Sequence, residues 1–205
     1  GRDLGFGTMG WTRDERSGAG VGLYAAGMTT TSLVSADKRP LGAFEVGPLG
    51  FGCWRFTKSD IAEARSMIEA ALAAGMNLID NADVYGNGRA ERLLHECLKD
   101  LGYDNGPNRD TLVIATKVGH FKGTARHAYE PHHVRNQCEQ SLLNLGLDHI
   151  DIYYFHHGSY AEPGQPGNLE DAAGTMHDLI KEGKVRVAGQ SAYSNDNFAR
   201  AIPPS

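Results

Sequence analysis

From residue 38 onward the chain alternates between two hydrophobic patterns. Short runs built mainly from apolar residues, at 49–54, 77–80, 112–117, 150–155 and 185–189, predict strands buried on both faces. The longer stretches between them carry apolar residues every three or four positions, the period of an amphipathic helix. One such face is Ile61, Ala64, Ile68, Ala71 and Leu72, in a helix from about residue 59. Thr57 with Asp60 predicts its capping box, and Gly75 its stop. A second helix is predicted over 90–99. A third opens at Pro131, an accepted first-turn position, with Val134, Cys138, Leu142 and Leu145 inward and Gly146 as its end. A fourth spans 169–181, capped by Asn168 with support from Asp171 and ended by Gly183. A further helix is expected near Asn195. Residues 39–46 predict a hairpin turning at Gly42-Ala43.

Strand and helix thus alternate with a spacing of roughly 35 residues, the signature of an α/β parallel sheet covered by helices. An open doubly wound sheet would need a glycine fingerprint after its first strand. Here that strand runs into Cys53-Trp54-Arg55-Phe56, and in Gly86-Asn87-Gly88 Glu91 stands where a third glycine belongs. The barrel remains, with its sites at the C-terminal strand ends. A (β/α)8 TIM barrel has eight strands over about 250 residues. About five βα units are visible in these 205 residues, so the barrel is incomplete and the sequence is expected to be a fragment of a longer protein. Residues 1–37 show no sustained period. Met28-Thr29-Thr30-Thr31 resembles an ordinary start, which makes the leading segment a mis-extended or disordered one. Gly18, Gly20 and Gly22 imitate a phosphate loop by chance, with no strand before them and no helix after.

Composition narrows the classes. A net charge of −5 disfavours nucleic acid as a partner. No apolar run is long enough for a membrane span, and the N-terminus lacks signal-peptide order, so a cytoplasmic location is expected. The three cysteines, Cys53, Cys97 and Cys138, share no metal-type spacing and read as free thiols of a reducing compartment.

Polar residues gather where the apolar runs end. Asp80 closes one run and Tyr85 follows in a glycine-rich loop; Lys117 closes the next and His156 the one after. Tyr85 is a phenol able to donate a proton at neutral pH, and a cation at Lys117 would make it a better acid. Asp80 would hold that lysine, and His156 would orient a carbonyl oxygen. The set suits protonation of an oxyanion as hydride reaches its carbon. Each residue also has a structural reading: a packing tyrosine, a structural Lys–Asp pair, a core histidine. A metal reading would use His156-His157, His132-His133 and Asp83, but adjacent strand residues point to opposite faces, and no metal is expected. Asp80 with Asp83 as a glycosidase pair leaves Tyr85 and Lys117 unused. Trp54, Phe56 and Phe121 would wall an apolar site. The 120–130 loop reads as a lid or a solvated connection.

In these residues the chain resembles the aldo-keto reductases. The resemblance is carried by Asp80, Asn81-Ala82, Tyr85-Gly86 and Glu91; by Thr116-Lys117; by Asp151, Tyr153 and His156; by Glu182 to Arg186; by Gly189-Gln190-Ser191; and by Leu49 to Gly52 with Trp54. It covers 38–205 and implies the N-terminal part of a barrel closed below by a hairpin, with 39–46 as that hairpin. It implies reduction of an aldehyde or ketone, a small-molecule carbonyl substrate, with NADPH, NADH being the other option. Tyr85 would be the proton donor, Lys117 and Asp80 its tuning pair and His156 the carbonyl orienter. Gly52, Trp54, Asp80, Gln190 and Ser191 would lie along the cofactor, with Ser191 at the nicotinamide amide. The family usually has Asn after that serine, and Ala192 cannot make its hydrogen bond. The residues that would take the cofactor phosphates belong after the fifth strand. Two other readings follow: a nucleotide-binding regulatory subunit of the same fold, like the potassium-channel beta subunits, and a nonfunctional truncated product.

Overall fold

A computed structural model of the protein describes residues 38–193 together with residues 195, 196 and 199. The expectations for residues 1–37 lie outside the described residues. The chain enters through an antiparallel hairpin, β1 (Arg39–Leu41) and β2 (Phe44–Val46), paired Arg39 to Val46. Gly42 makes its turn at φ 61°, a left-handed conformation that a residue with a Cβ resists.

Five strands follow, each joined to the next through helical structure: β3 (Gly50–Gly52), β4 (Leu78–Asp80), β5 (Val113–Val118), β6 (Ile150–Phe155) and β7 (Val185–Gln190). They form one sheet in chain order, every neighbouring pair parallel. The helices are α1 (Ile61–Ala73), α2 (Arg89–Leu101), the short α3 (Gly106–Arg109), α4 (Pro131–Leu145) and α5 (Leu169–Lys181). This is the partial parallel barrel with an N-terminal hairpin that the hydrophobic pattern predicts.

Alternation along the strands sorts the side chains between two cores. Ile79, Ile114, Tyr153 and Phe155 face the helices, packing on Leu94, Leu98, Val134 and Leu179. Each fully buried leucine or isoleucine there contributes about 1.5–3 kcal/mol. Val113, Ala115 and Ile152 face the other way, meeting Val46 of the hairpin with Phe44, Leu78 and Tyr154. The hairpin thus covers the inner core at the strands' N-terminal ends. Asn77 ties it down: its Oδ1 accepts from Gly47 N at 2.8 Å and its Nδ2 donates to Glu45 O at 2.9 Å.

Three details differ from the sequence reading. The N-cap of α1 is Asp60, its carboxylate accepting from Glu63 N at 2.9 Å. Thr57 lies upstream in a 3-10 turn, Phe56–Lys58, that redirects the chain between strand and helix. Ile61 is consequently exposed in the first turn, and the buried face of α1 is Ala64, Ile68 and Ala71. The short α3 was not foreseen, because four residues carry no readable period. Asn195, Asp196 and Ala199 are helical, where the last helix is expected to begin.

Candidate active site at the strand ends

The inner face of the sheet, followed upward, leads to the chemistry. Leu78 is succeeded two residues on by Asp80, Ala115 by Lys117, and Tyr154 by His156. A period of two therefore places Asp80, Lys117 and His156 on the inner face, just beyond the apolar core. On β3 the same face carries Gly50 and Gly52, and a Cβ on Gly52 would meet nothing within 4 Å, so the sheet leaves open space beside Asp80. Tyr85 arrives from the β4–α2 loop.

Lys117 Nζ lies 2.9 Å from Asp80 Oδ1, donates to the Asn81 carbonyl, and stands 3.5 Å from Tyr85 Oη. Its side chain is only 6% exposed, whereas that of Asp80 is 43% exposed. The ammonium is thus held by two oxygens and aimed at the phenol. Tyr85 and His156 meet edge to face, with centroids 6.0 Å apart. Tyr85 does not carry the lowered pKa expected from a neighbouring cation. Burial first, and then the Asp80 charge, push the phenol up to about 12. Burial, with Lys117 and His120 next, holds His156 down at about 3, so the imidazole is neutral. Its Nδ1 is buried with no hydrogen-bond partner in the protein. A neutral ring there is best served by a bare Nδ1 and a proton on Nε2.

Tyr85 and His156 share a cavity of about 740 Å3 with Trp54, His120 and Tyr193. Of the expected aromatic wall, Trp54 is in place. Phe56 is buried in the helix-side core, edge to face with Phe51 at 5.7 Å, and Phe121 does not line the cavity. His120 takes that place, its ring 4.3 Å from His156. It follows a strand end by two residues, a placement that could have singled it out. The 120–130 loop is pinned as a connection: Tyr129 is fully buried beneath it, and Glu130 Oε1 accepts from Arg126 N and His127 N at 2.6 and 2.9 Å.

Alternation also separates the two expected cofactor residues on β7. Gly189 is on the inner face, where a Cβ would come within 2.6 Å of the Tyr154 ring. Ser191, two residues on, continues that face, and its N donates to Phe155 O at 2.8 Å. Gln190 turns the other way. Its Oε1 accepts from Tyr160 Oη, and its Nε2 donates to Ser191 O at 2.7 Å and Phe155 O at 3.3 Å. Gln190 can touch a cofactor only by giving up these bonds.

Two carboxyls lie buried behind the site. Glu91 is fully buried, accepting from Thr116 Oγ1 at 2.7 Å and Asn144 Nδ2 at 2.9 Å. Asp83 is 5% exposed, and neither oxygen has a hydrogen-bond partner. Burial and the Glu91 charge push it up to about 7. Asp83 does not line the cavity. The histidine pairs are engaged separately: His157 Nε2 bonds Gly119 O at 2.6 Å, His133 Nε2 bonds Phe121 O at 2.8 Å, and His132 faces Glu130 at 3.6 Å. Among the described residues no group of three His, Cys, Asp or Glu is placed to hold a metal, and no helix is long and apolar enough to cross a membrane.

A parallel barrel sheet with a phenol, a carboxylate-held lysine and a neutral imidazole at its C-terminal strand ends defines a class of protein. Comparison with known proteins gives the family: the model of the aldo/keto reductase family matches residues 48–203, and the chain belongs to that family. It is 35% identical over 180 residues to a probable aldo-keto reductase 1 of Glycine max, covering 84% of this chain and 49% of that protein. It is 29% identical to a probable voltage-gated potassium channel subunit beta of Arabidopsis thaliana, over 77% of this chain and 46% of that one. An aldo-keto reductase structure from Bacillus halodurans, in its holo form, superposes with a TM-score of 0.63 at 30% identity, over 76% of this chain and 50% of the other. A putative aldo-keto reductase from Pseudomonas aeruginosa gives 0.64 at 29% identity, over 80% and 63%. The chain spans about half the length of the curated relatives it matches.

Proposed function

We propose that this site belongs to an oxidoreductase that reduces an aldehyde or ketone with hydride from NADPH. The observation that carries the reading is the contact of Lys117 with both Asp80 and Tyr85, beside a neutral His156 on the same cavity. Tyr85 is a protonated phenol in the resting fold. His156 donates from Nε2 to the substrate oxygen and places it against the Tyr85 hydroxyl. As charge builds on that oxygen, Tyr85 releases its proton to it, and Lys117 stabilises the phenolate left behind. Asp80 and the Asn81 carbonyl keep Lys117 in position throughout.

The nicotinamide, when bound, supplies the hydride. Ser191, on the inner face, and Trp54, two residues past β3, would hold its carboxamide end and its ring. Gly52 leaves room beside Asp80. Gln190, tied to Tyr160, does not offer a free amide. NADH fits the same residues. The alternative, a nucleotide-binding regulatory subunit of the same fold, to which the channel-subunit relatives lend support, would keep nucleotide binding without turnover.

The test is to titrate NADPH into the purified chain, follow nicotinamide fluorescence, and add an aldehyde to the saturated complex. Saturable binding followed by carbonyl-dependent loss of the signal supports the reductase. Binding without turnover supports the regulatory reading. Absence of binding by the folded chain supports the third reading, a truncated product, and denies this chain both roles.

A further inference from the structure

We infer that the carbonyl compound taken by this cavity is anionic, and that Arg55 and Lys58 recognise its carboxylate or phosphate. The inference rests on the reductase reading for the word carbonyl, and on the cavity wall for the charge. Both cations line the same cavity as Tyr85 and His156.

Their placement follows from the turn that carries them. Arg55 precedes the 3-10 turn Phe56–Lys58 and Lys58 closes it, with Lys58 N donating to Arg55 O at 3.2 Å. Three residues per turn bring positions three apart onto one side. Phe56, between them, points into the core, so the cations are left facing out toward the cavity.

The turn is also anchored. Cys53 N donates to Asp80 O at 2.8 Å, tying its start to the strand that bears the lysine partner. Arg89, in the first turn of α2, donates from Nε to Thr57 O at 2.9 Å and from Nη2 to Ser59 O at 3.1 Å. A loop held at both ends presents its charges with little ordering left to lose on binding.

Charge balance points the same way. Neither Arg55 nor Lys58 pairs with a carboxylate among the described residues, although the whole chain carries −5. Among the described residues no carboxylate lines the cavity, and Asp80 beside it is taken by Lys117. His156 and His120 are both held toward the neutral form by burial. Two positive charges therefore remain on the wall without compensation. Arg55 lies with its Cζ 5.6 Å from the Trp54 ring centroid. Stacking on an aromatic face leaves the guanidinium edge free for a bidentate oxyanion. The phosphates of a dinucleotide carry the same chemistry, but these cations stand on the wall that also holds the proton donor and the carbonyl-orienting imidazole, where the substrate belongs.

The experiment is a calorimetric titration of the purified chain with 4-carboxybenzaldehyde and with benzaldehyde, at low and high salt, beside an NADPH titration. The acid is expected to bind about tenfold more tightly at low salt, an advantage that shrinks as salt screens the charges. In Arg55→Gln/Lys58→Gln the advantage disappears; in Arg55→Lys most of it remains. Equal affinities, no binding of either aldehyde, or an advantage insensitive to salt overturns the inference without any variant. Loss of NADPH affinity in the double variant, with the acid's advantage intact, assigns the cations to the cofactor and also overturns it. If the acid binds as described and is never reduced, the reductase reading fails while the anion site stands.

Discussion

The two ends of the sheet differ in how they hold buried charge. At the N-terminal end, Asp151 is fully buried but paired with cations: Arg109 Nη2 lies at 2.7 Å, Ile114 N donates at 2.8 Å, and Arg186 Nη1 faces the other oxygen at 3.2 Å, although that oxygen and Arg109 Nε make no hydrogen bond. Asn77 spends its amide on Gly47, Glu45 and Thr111. At the C-terminal end, Asn81 Nδ2, both Asp83 oxygens and His156 Nδ1 have no partner in the protein, and Lys117 is aimed at a phenol. One end uses its polar groups to close the structure. The other leaves Asp83 and His156 without charged partners of opposite sign in hydrogen-bond contact, in surroundings that shift their proton affinities, as a site for proton chemistry requires.

Substitutions should separate the two ends. The largest stability effect is expected from Asp151→Ala, which strands Arg109 in the core. A loss of about 3–5 kcal/mol is expected in denaturant titrations, and an unchanged midpoint would dissolve the contrast.

Next is Asp83→Asn. The Asp83 carboxyl is raised in the fold from 3.8 to about 7, so unfolding releases its proton as pH climbs through that window. Native stability attributable to it is undiminished below the unfolded value, falls as pH rises toward 7, and stays low above it. The penalty at pH 8 is on the order of 3 kcal/mol, at about 1.4 per pH unit with allowance for water entering. Asp83→Asn should remove that decline, raising the melting temperature at pH 8 relative to wild type far more than at pH 4. A parallel pH dependence in the two proteins would show that Asp83 is ionised and solvated after all.

A smaller effect, about 2 kcal/mol, is expected for Asn77→Ala, which frees the hairpin from the sheet. It should appear as earlier hydrogen exchange in residues 39–47. The smallest expected effect is that of pH on rate: with Tyr85 near 12 and His156 near 3, carbonyl reduction should stay flat across the neutral range. A limb near pH 7 would implicate another group.

Strand positions were readable from sequence because apolar runs buried on both faces have sharp ends, and the ends of 77–80, 112–117 and 150–155 fall at Asp80, Lys117 and beside His156. Parallel register then brings those ends together without further information. Loop residues were harder. Phe56 looks like Trp54 in sequence, yet a 3-10 turn sends one inward and leaves the other on the cavity. His120 is flagged only by its place two residues past β5, and the surroundings of His120 and Asp83 come from tertiary packing. Gln190 and Ser191 are adjacent letters with opposite faces; the pleat distinguishes them, and its phase is fixed by Gly189 against Tyr154. The direction of the Tyr85 shift is not legible in sequence, because it is set first by burial of the phenol and then by the Asp80 charge.

The central claim is that Tyr85 protonates the carbonyl oxygen, and replacing it by phenylalanine in the purified chain tests this most directly. NADPH affinity and aldehyde reduction should be measured side by side. The account predicts that binding persists while reduction falls by about 10²–10⁴-fold, the usual contribution of a positioned proton donor. Equal reduction rates in Tyr85→Phe and wild type would contradict it.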